Sequence, residues 1–178
     1  MYVMLLSKWV YVLIGDDKTG KTSFQKKLAK MLCGENYKSL PRNRLFKIYG
    51  QNMEDNDLKI FFSNRSIQEQ NLNAHDYFEK EFQDADVAIL SSHLVLEDIK
   101  QIIDESHLRY YNVGGVFWTN SIIYNNELNQ KISLLNWNER FVIDNPIIDN
   151  YDNDLICKNI EKQAAKFLNM LIKRFQLQ

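Results

Sequence analysis

The stretch from Gly15 to Thr22 carries the residues best suited to bind phosphate. It reads GDDKTGKT and fits the pattern G-x-x-x-x-G-K-[ST]. In such loops, backbone N–H groups and the amino end of the following helix face the phosphates. The residues expected to contact a bound nucleotide are therefore Gly15, Lys18, Thr19, Gly20, Lys21, Thr22 and Ser23.

Two side chains of this loop bring chemistry of their own. Lys21 would bring its positive charge next to the β- and γ-phosphates of ATP or GTP, and Thr22 would ligate Mg²⁺ through its hydroxyl. Lys18 is expected to be solvated rather than catalytic. Asp16 and Asp17 could help to hold the metal or could be two exposed loop carboxylates. Their charge beside a phosphate site is unfavourable unless a cation intervenes.

The elements around the loop are those that a phosphate site requires. Trp9 to Ile14 is a continuous apolar run, which is typical of a central parallel strand. After the loop, apolar residues recur at helical spacing from Phe24 to Leu32, and Gly34 is suited to end that helix. This strand–loop–helix context favours nucleotide binding over a chance match.

Strands and helices alternate along the rest of the chain. Two strands joined by a polar turn predict an antiparallel hairpin. The predicted strands are 45–49, 58–62, 87–90, 113–118 and 141–143, and the predicted helices are 74–82, 95–103 and 156–175. Asn73 is expected to cap the first of these helices, and Pro146 to end the last strand. Gly114 and Gly115 indicate close packing or a bulge. Residues 121–139 remain unassigned. The pattern predicts one α/β domain over residues 1–178, with a mostly parallel central sheet, helices on both faces and one antiparallel edge hairpin. Together with the loop at 15–22, this arrangement resembles the three-layer P-loop NTPase fold.

Polar residues after two other strands are candidates for the same site, because the carboxyl ends of parallel strands form a ligand crevice. Arg65 could stabilise charge on a transferring phosphoryl group, or it could form a surface salt bridge. His93 could orient a water or bind substrate, or it could cap a helix or be a hydrogen-bonded core residue. Trp118 and Trp137 are expected in the core, with stacking on a base as the alternative.

Two segments, IGDDKTGKTSFQKKL and YFEKEFQDADVAIL, together with the order of the elements, resemble the Ras-like small GTPases over most of the chain. The resemblance implies the fold and the phosphate site. The family's D-x-x-G motif is replaced by Ser63-Asn64-Arg65-Ser66, and its N-K-x-D motif by Asn120-Ser121-Ile122-Ile123. Of the second motif only Asn120 remains as a candidate nucleotide contact, so guanine specificity and a working switch are not implied. Gln68 and Gln70 lie where a water-positioning glutamine could lie.

Composition limits the partners. The net charge of −1 gives no electrostatic case for nucleic acid or an anionic membrane. No run is long enough to span a bilayer, and the apolar start of the chain is interpreted as a buried strand rather than a signal peptide. Cys33 and Cys157 lack metal-type spacing, which favours a reduced, cytoplasmic setting.

Three functions remain open on these residues. The first is a small nucleoside-triphosphate-binding protein with slow or partner-stimulated hydrolysis of ATP or GTP. The second is an interaction module that holds a nucleotide without turning it over, which the missing acid and glycine favour. The third is a nucleoside or nucleotide kinase, supported by the Asn64-Arg65-Ser66 sequence, with Arg42 and Arg44 as the only arginine cluster near a possible lid. A protein partner is expected in addition to the nucleoside triphosphate.

Overall fold

Six strands and six helices form the protein in a computed structural model that describes residues 7–34, 36–49, 58–145 and 153–176. The strands are β1 (Trp9–Ile14), β2 (Arg44–Lys47), β3 (Lys59–Ser66), β4 (Val87–Ser92), β5 (Asn112–Trp118) and β6 (Glu139–Ile143). The helices are α1 (Lys21–Cys33), α2 (Ala74–Lys80), α3 (Leu96–Leu108), α4 (Thr119–Tyr124), α5 (Asn126–Ser133) and α6 (Asn153–Gln176), and a short 3-10 helix (Gln68–Gln70) follows β3.

All six strands belong to one sheet with the order β2-β3-β4-β1-β5-β6. β2 pairs with β3 in the antiparallel direction, and the other neighbouring strands are parallel. The predicted α/β fold with a mostly parallel sheet and one antiparallel pair is therefore confirmed. β1, which leads into the predicted phosphate loop, lies between β4 and β5, so that Ile14 is paired with Ser92 at the carboxyl end of the sheet.

Side chains of β1 alternate between two apolar cores, one on each face of the sheet. Tyr11 and Leu13 belong to a core with residues of α1 and α6, including Phe24 and Phe167. Val10, Val12 and Ile14 belong to a second core with residues of α2, α3 and α5. Every one of these β1 side chains is buried, as the continuous apolar run predicts for a strand covered on both faces.

Local signals place several element ends correctly. β1 has the predicted bounds. Gly34 adopts a left-handed conformation with φ 68°, and its N–H donates to Lys30 O at 3.1 Å, which ends α1. Asn73 caps α2 by accepting a hydrogen bond from the backbone N–H of Asp76 at 2.8 Å. The turn that joins the hairpin strands and Pro146 lie outside the described residues.

Two predictions about strands need correction or refinement. β3 does not end at Phe62 but continues to Ser66, with an irregular register against β4 between these residues. Gly114 marks close packing rather than a bulge, because the β1–β5 register is uninterrupted and a Cβ at this position would lie 2.5 Å from the Tyr11 ring.

The unassigned segment 121–139 contains most of α4 and all of α5. Both helices are short, and only Ser121, Asn129 and Ile132 of their side chains are buried, so an apolar helical period was not visible in the sequence. Among the described residues, no helix is both long and apolar enough to cross a membrane.

Candidate functional site

The predicted phosphate loop forms a tight turn between β1 and α1. Its first residue, Gly15, is buried, and its N–H donates to Ser92 O at 3.1 Å. Gly20, just before the helix, has φ 104°, a conformation that L side chains rarely adopt. Lys18 is exposed with φ 65°, and the buried Thr19 side chain donates to Asp16 O at 2.8 Å. The Thr19 hydroxyl therefore holds the loop, in addition to the backbone role that the sequence predicts.

Lys21 directs its ammonium group into the loop instead of into solvent. Its Nζ donates to the carbonyl oxygen of Gly15, and to Asp16 O at 2.8 Å. Burial lowers the pKa of Lys21 from 10.5 to about 8, although the nearby carboxylates of Asp17, Asp16 and Glu69 oppose this shift. The side chain thus places a partly desolvated cation at the amino end of α1.

A buried asparagine from β6's carboxyl side also holds the loop. Asn145 is 6% exposed, and its Nδ2 donates to Thr19 O at 2.8 Å. Its own N–H donates to Thr119 Oγ1 at 2.8 Å, which ties the end of β6 to the end of β5. On the outer side of the loop, Asn125 Nδ2 lies 3.5 Å from Asp16 Oδ2. Asn145 therefore holds the buried side of the predicted phosphate loop, whereas the contact of the exposed Asn125 is long.

The first turn of α1 presents hydroxyl groups above a buried polar layer. Thr22 and Ser23, the predicted metal ligand and a predicted phosphate contact, are both exposed. One turn further, the fully buried Gln25 donates from Nε2 to Ser63 O and to Ser91 Oγ, each at 2.9 Å. Gln25 therefore joins α1 to the ends of β3 and β4.

Arg65 lies within β3, not beyond its end as the sequence predicts. Its side chain is exposed, and within the described part of the chain no ion pair involves it. Its backbone carbonyl accepts hydrogen bonds from Ser63 Oγ and Gln70 Nε2, both at 3.1 Å. Asn64, at the position where a kinase would carry its catalytic base, donates from Nδ2 to Leu40 O at 2.7 Å. Its amide is therefore engaged in a structural hydrogen bond.

An acid that the sequence reasoning did not single out lies close to the loop. Glu69 is in the 3-10 helix after β3, and its Oε2 accepts hydrogen bonds from Ser66 N at 2.7 Å and Ser66 Oγ at 2.9 Å. Burial opposes ionisation of Glu69, but these hydrogen bonds and the charges of His93 and Lys21 outweigh it and lower its pKa. The carboxylate therefore remains charged beside the lysine of the phosphate loop.

His93 and the loop carboxylates approach Glu69 from two sides. Ligand atoms of Asp17, Glu69 and His93 all lie within 4.8 Å of one another. His93 Nδ1 also lies 3.9 Å from Asp16 Oδ1, and the imidazole is 23% exposed. His93 is thus a half-buried neighbour of the phosphate loop, and neither a helix cap nor a core residue.

The two glutamines proposed to position water are engaged elsewhere. Gln68 Nε2 donates to Asp98 Oδ2 at 2.7 Å and lies 3.3 Å from Ser92 Oγ. Gln70 Oε1 accepts from Arg42 Nε at 3.0 Å and Asn43 Nδ2 at 2.9 Å. These contacts connect the 3-10 helix to β4, to α3 and to the two residues that precede β2.

The face expected to contact the base is formed by α4. Asn120, the second residue of this helix, is half-buried, and its Oδ1 accepts a hydrogen bond from Ser121 N at 2.8 Å. Ile123 is 63% exposed. Trp118 and Trp137 are buried at 0% and 6% exposure, so the prediction that they belong to the core is confirmed.

Two residues of this site escaped sequence reasoning. Glu69 lies between Gln68 and Gln70. The one signal in the sequence was its position three residues after Ser66, a spacing at which the acid can accept the hydrogen bond that the Ser66 N–H donates. Asn145 carried no signal, because an asparagine after a strand is common in any loop.

Comparisons with known proteins add no family. No protein-family model matches the chain, and none of the curated proteins matches it in sequence. Among solved structures, one described as "Crystal Structure of Fungal RNA Kinase" is 12% identical, with a TM-score of 0.40, over 96% of this chain and 88% of that chain. A similarity at this level carries no argument about the activity of this chain.

Proposed function

We propose that this chain is a small P-loop nucleoside-triphosphate-binding protein that hydrolyses ATP or GTP slowly, or at the stimulation of a protein partner. One observation supports the proposal above the others: the Lys21 ammonium is enclosed by the loop at the amino end of α1. A cation and a helix end directed at the same space are the two features that attract a phosphate group. Gly20 and Asn145 fix the backbone that forms this space.

The oxygen donors near the loop fit Mg²⁺, a hard cation that prefers oxygen ligands and retains several waters. Thr22 would hold the ion through its exposed hydroxyl, and phosphate oxygens and waters would complete its coordination. When bound with the nucleotide, Mg²⁺ would neutralise charge on the β- and γ-phosphates. Lys21 would add its charge to the same oxygens and thereby act as a catalytic residue.

The hydrogen bonds of Gln68, Gln70 and Asn64 within the fold support slow intrinsic turnover. Gln68 and Gln70 donate to groups of the fold, so neither is placed to orient an attacking water. Arg65 remains exposed and is the candidate to stabilise charge on the transferring phosphoryl group. Completion of the site by a partner would then raise the rate.

The non-catalytic interaction module is the second candidate, and the same engaged glutamines favour it. The kinase is not favoured, because Asn64 contacts Leu40 O and the Arg42 side chain contacts Gln70. A single-turnover measurement of phosphate release distinguishes a slow hydrolase from the module.

The decisive experiment is calorimetric titration of the purified protein with Mg²⁺-ATP and Mg²⁺-GTP. Lys21→Ala removes a charge-assisted contact worth roughly 1.5–3 kcal/mol, so affinity should fall by about tenfold or more. Lys30→Ala, an exposed lysine at the other end of the same helix, is the matched control and should bind as the parent does. Equal affinity of Lys21→Ala and the parent would refute the phosphate-loop assignment.

A further inference from the structure

We propose that Asp17, Glu69 and His93 form a binding site for a first-row divalent transition ion of the Mn²⁺ class. The three side chains come from the phosphate loop, from the 3-10 helix after β3 and from the residue after β4. Their ligand atoms lie within 4.8 Å of one another. Because metal–ligand bonds measure about 2.0–2.6 Å, the ligand atoms of one ion must lie within about 5 Å of one another, and these three atoms do.

The mixture of ligands identifies the class of ion. Two carboxylates suit Mg²⁺, Ca²⁺ and Mn²⁺, whereas an imidazole nitrogen is a poor ligand for the first two and a good one for transition ions. A site with two carboxylates and one imidazole therefore favours Mn²⁺ or a later first-row ion over Mg²⁺. Thr22 is not part of this site, which separates it from the position expected for the Mg²⁺ that enters with a nucleotide.

One of the three side chains, Glu69, is already oriented by hydrogen bonds to its carboxylate. Glu69 Oε2 accepts from both the backbone N–H and the hydroxyl of Ser66, which fixes the carboxylate and leaves its second oxygen available. Ligands of metal sites are commonly oriented by such outer contacts. Asp17 and His93 carry no hydrogen bond from their side chains among the described residues, and His93 approaches Asp16 only at 3.9 Å.

The charges around the loop give the ion a role, and this part of the inference rests on the proposed nucleotide binding. The carboxylates of Asp16, Asp17 and Glu69 all act electrostatically on the half-buried Lys21. A triphosphate that approached this space would meet three carboxylates, which is unfavourable at these distances. A divalent ion held by Asp17, Glu69 and His93 would neutralise the remaining negative charge of these groups and permit the phosphates to approach.

Mn²⁺ is the probe, and no nucleotide is needed. The paramagnetic resonance signal of free aqueous Mn²⁺ is measured while the full-length protein is added, so that binding appears as loss of signal. We expect saturable binding of one ion by the parent, at least tenfold weaker binding by Glu69→Gln and by His93→Gln, and about tenfold weaker binding by Ser66→Ala. Mg²⁺ should displace the Mn²⁺ only at a concentration at least tenfold higher than that of Mn²⁺.

Glu97→Gln is the matched control, since this exposed acid lies four residues from His93 in the first turn of α3. It should bind Mn²⁺ as the parent does. The inference is overturned if the parent leaves the Mn²⁺ signal unchanged, or if Glu69→Gln and His93→Gln bind as tightly as Glu97→Gln.

A measurement on the parent protein keeps the test valid should a variant fail to fold. Substoichiometric Mn²⁺ should broaden the amide resonances of Asp17, Glu69 and His93 before those of other residues, and broadening centred elsewhere overturns the site. Because these experiments contain no nucleotide, loss of Mn²⁺ binding refutes this site, whereas loss of the Lys21 effect on ATP affinity refutes the proposed function.

Discussion

Asn145→Ala tests whether the phosphate loop depends on the far edge of the sheet. The Asn145 side chain makes one described contact with the loop, from Nδ2 to Thr19 O at 2.8 Å, in a position that is 6% exposed. Its backbone N–H, which donates to Thr119 Oγ1, is kept in the variant. The substitution therefore removes one buried side-chain donor and leaves the Thr19 carbonyl without it.

Removal of one partner of a buried hydrogen bond costs about 1–3 kcal/mol, because the remaining group stays desolvated. In a chain of this size each kcal/mol lowers Tm by about 2–4 °C, so Tm should fall by about 2–12 °C. The freed carbonyl belongs to the peptide bond between Thr19 and Gly20. Without the hydrogen bond from Asn145 this part of the loop is less well fixed, so nucleotide binding must also order it. If about 1.4 kcal/mol of the cost falls on that step, triphosphate affinity decreases about tenfold.

Thermal unfolding by circular dichroism and calorimetric titration with Mg²⁺-ATP measure the two effects. Asn125→Ala is the matched control, because Asn125 is exposed and its Nδ2 lies 3.5 Å from the Asp16 side chain. A surface change of this kind should cost less than about 0.5 kcal/mol. The reasoning fails if Asn145→Ala melts and binds nucleotide like the parent, or if Asn125→Ala is equally damaging.

Three further predictions concern base selection, turnover and pH. Because Ile123 cannot accept hydrogen bonds from guanine, GTP and ATP affinities should lie within about two orders of magnitude in a competition titration, and a much steeper preference for GTP would mean that another residue reads the base. The isolated protein should release phosphate from ATP and GTP at well below about 1 s⁻¹ at saturating Mg²⁺. Arg65→Ala should reduce any rate that a partner stimulates. Several turnovers per second without a partner, abolished by Lys21→Ala, would contradict the slow-hydrolase proposal. Burial lowers the folded-state pKa of Lys21 from 10.5 to about 8, so between these values the unfolded chain binds more protons and stability rises with pH. The Tm of the parent relative to Lys21→Met should therefore increase across this window, and a constant difference would show that the Lys21 ammonium is not desolvated.

Several features could be predicted from the sequence because they depend on neighbouring residues. The continuous apolar run from Trp9 to Ile14 predicts a strand covered on both faces, and β1 has those bounds. Gly34 and Asn73 end and begin helices through contacts within one turn, and both do so here. The hairpin of β2 and β3 follows from two alternating segments joined by a polar turn.

The end of β3 was missed because it depends on a partner distant in sequence. The segment Ser63–Ser66 is polar and reads as a loop, yet it continues as strand because Ser66 pairs with Ser91 of β4. Burial of Ser63 and Ser66 at 1% and 0% exposure is possible since each finds hydrogen bonds there. Tertiary pairing thus overrides local composition.

The composition of the candidate site was likewise decided by tertiary structure. Lys21 and Thr22 are identified by their spacing within one short loop, which the sequence alone contains. Glu69 and His93 reach that loop only because β3, β4 and β1 are neighbours in the sheet, and Asn145 reaches it only because β6 ends on the other side. Strand order results from burial of both sheet faces and from the paths of the connecting helices, and these quantities involve the whole chain rather than any one segment.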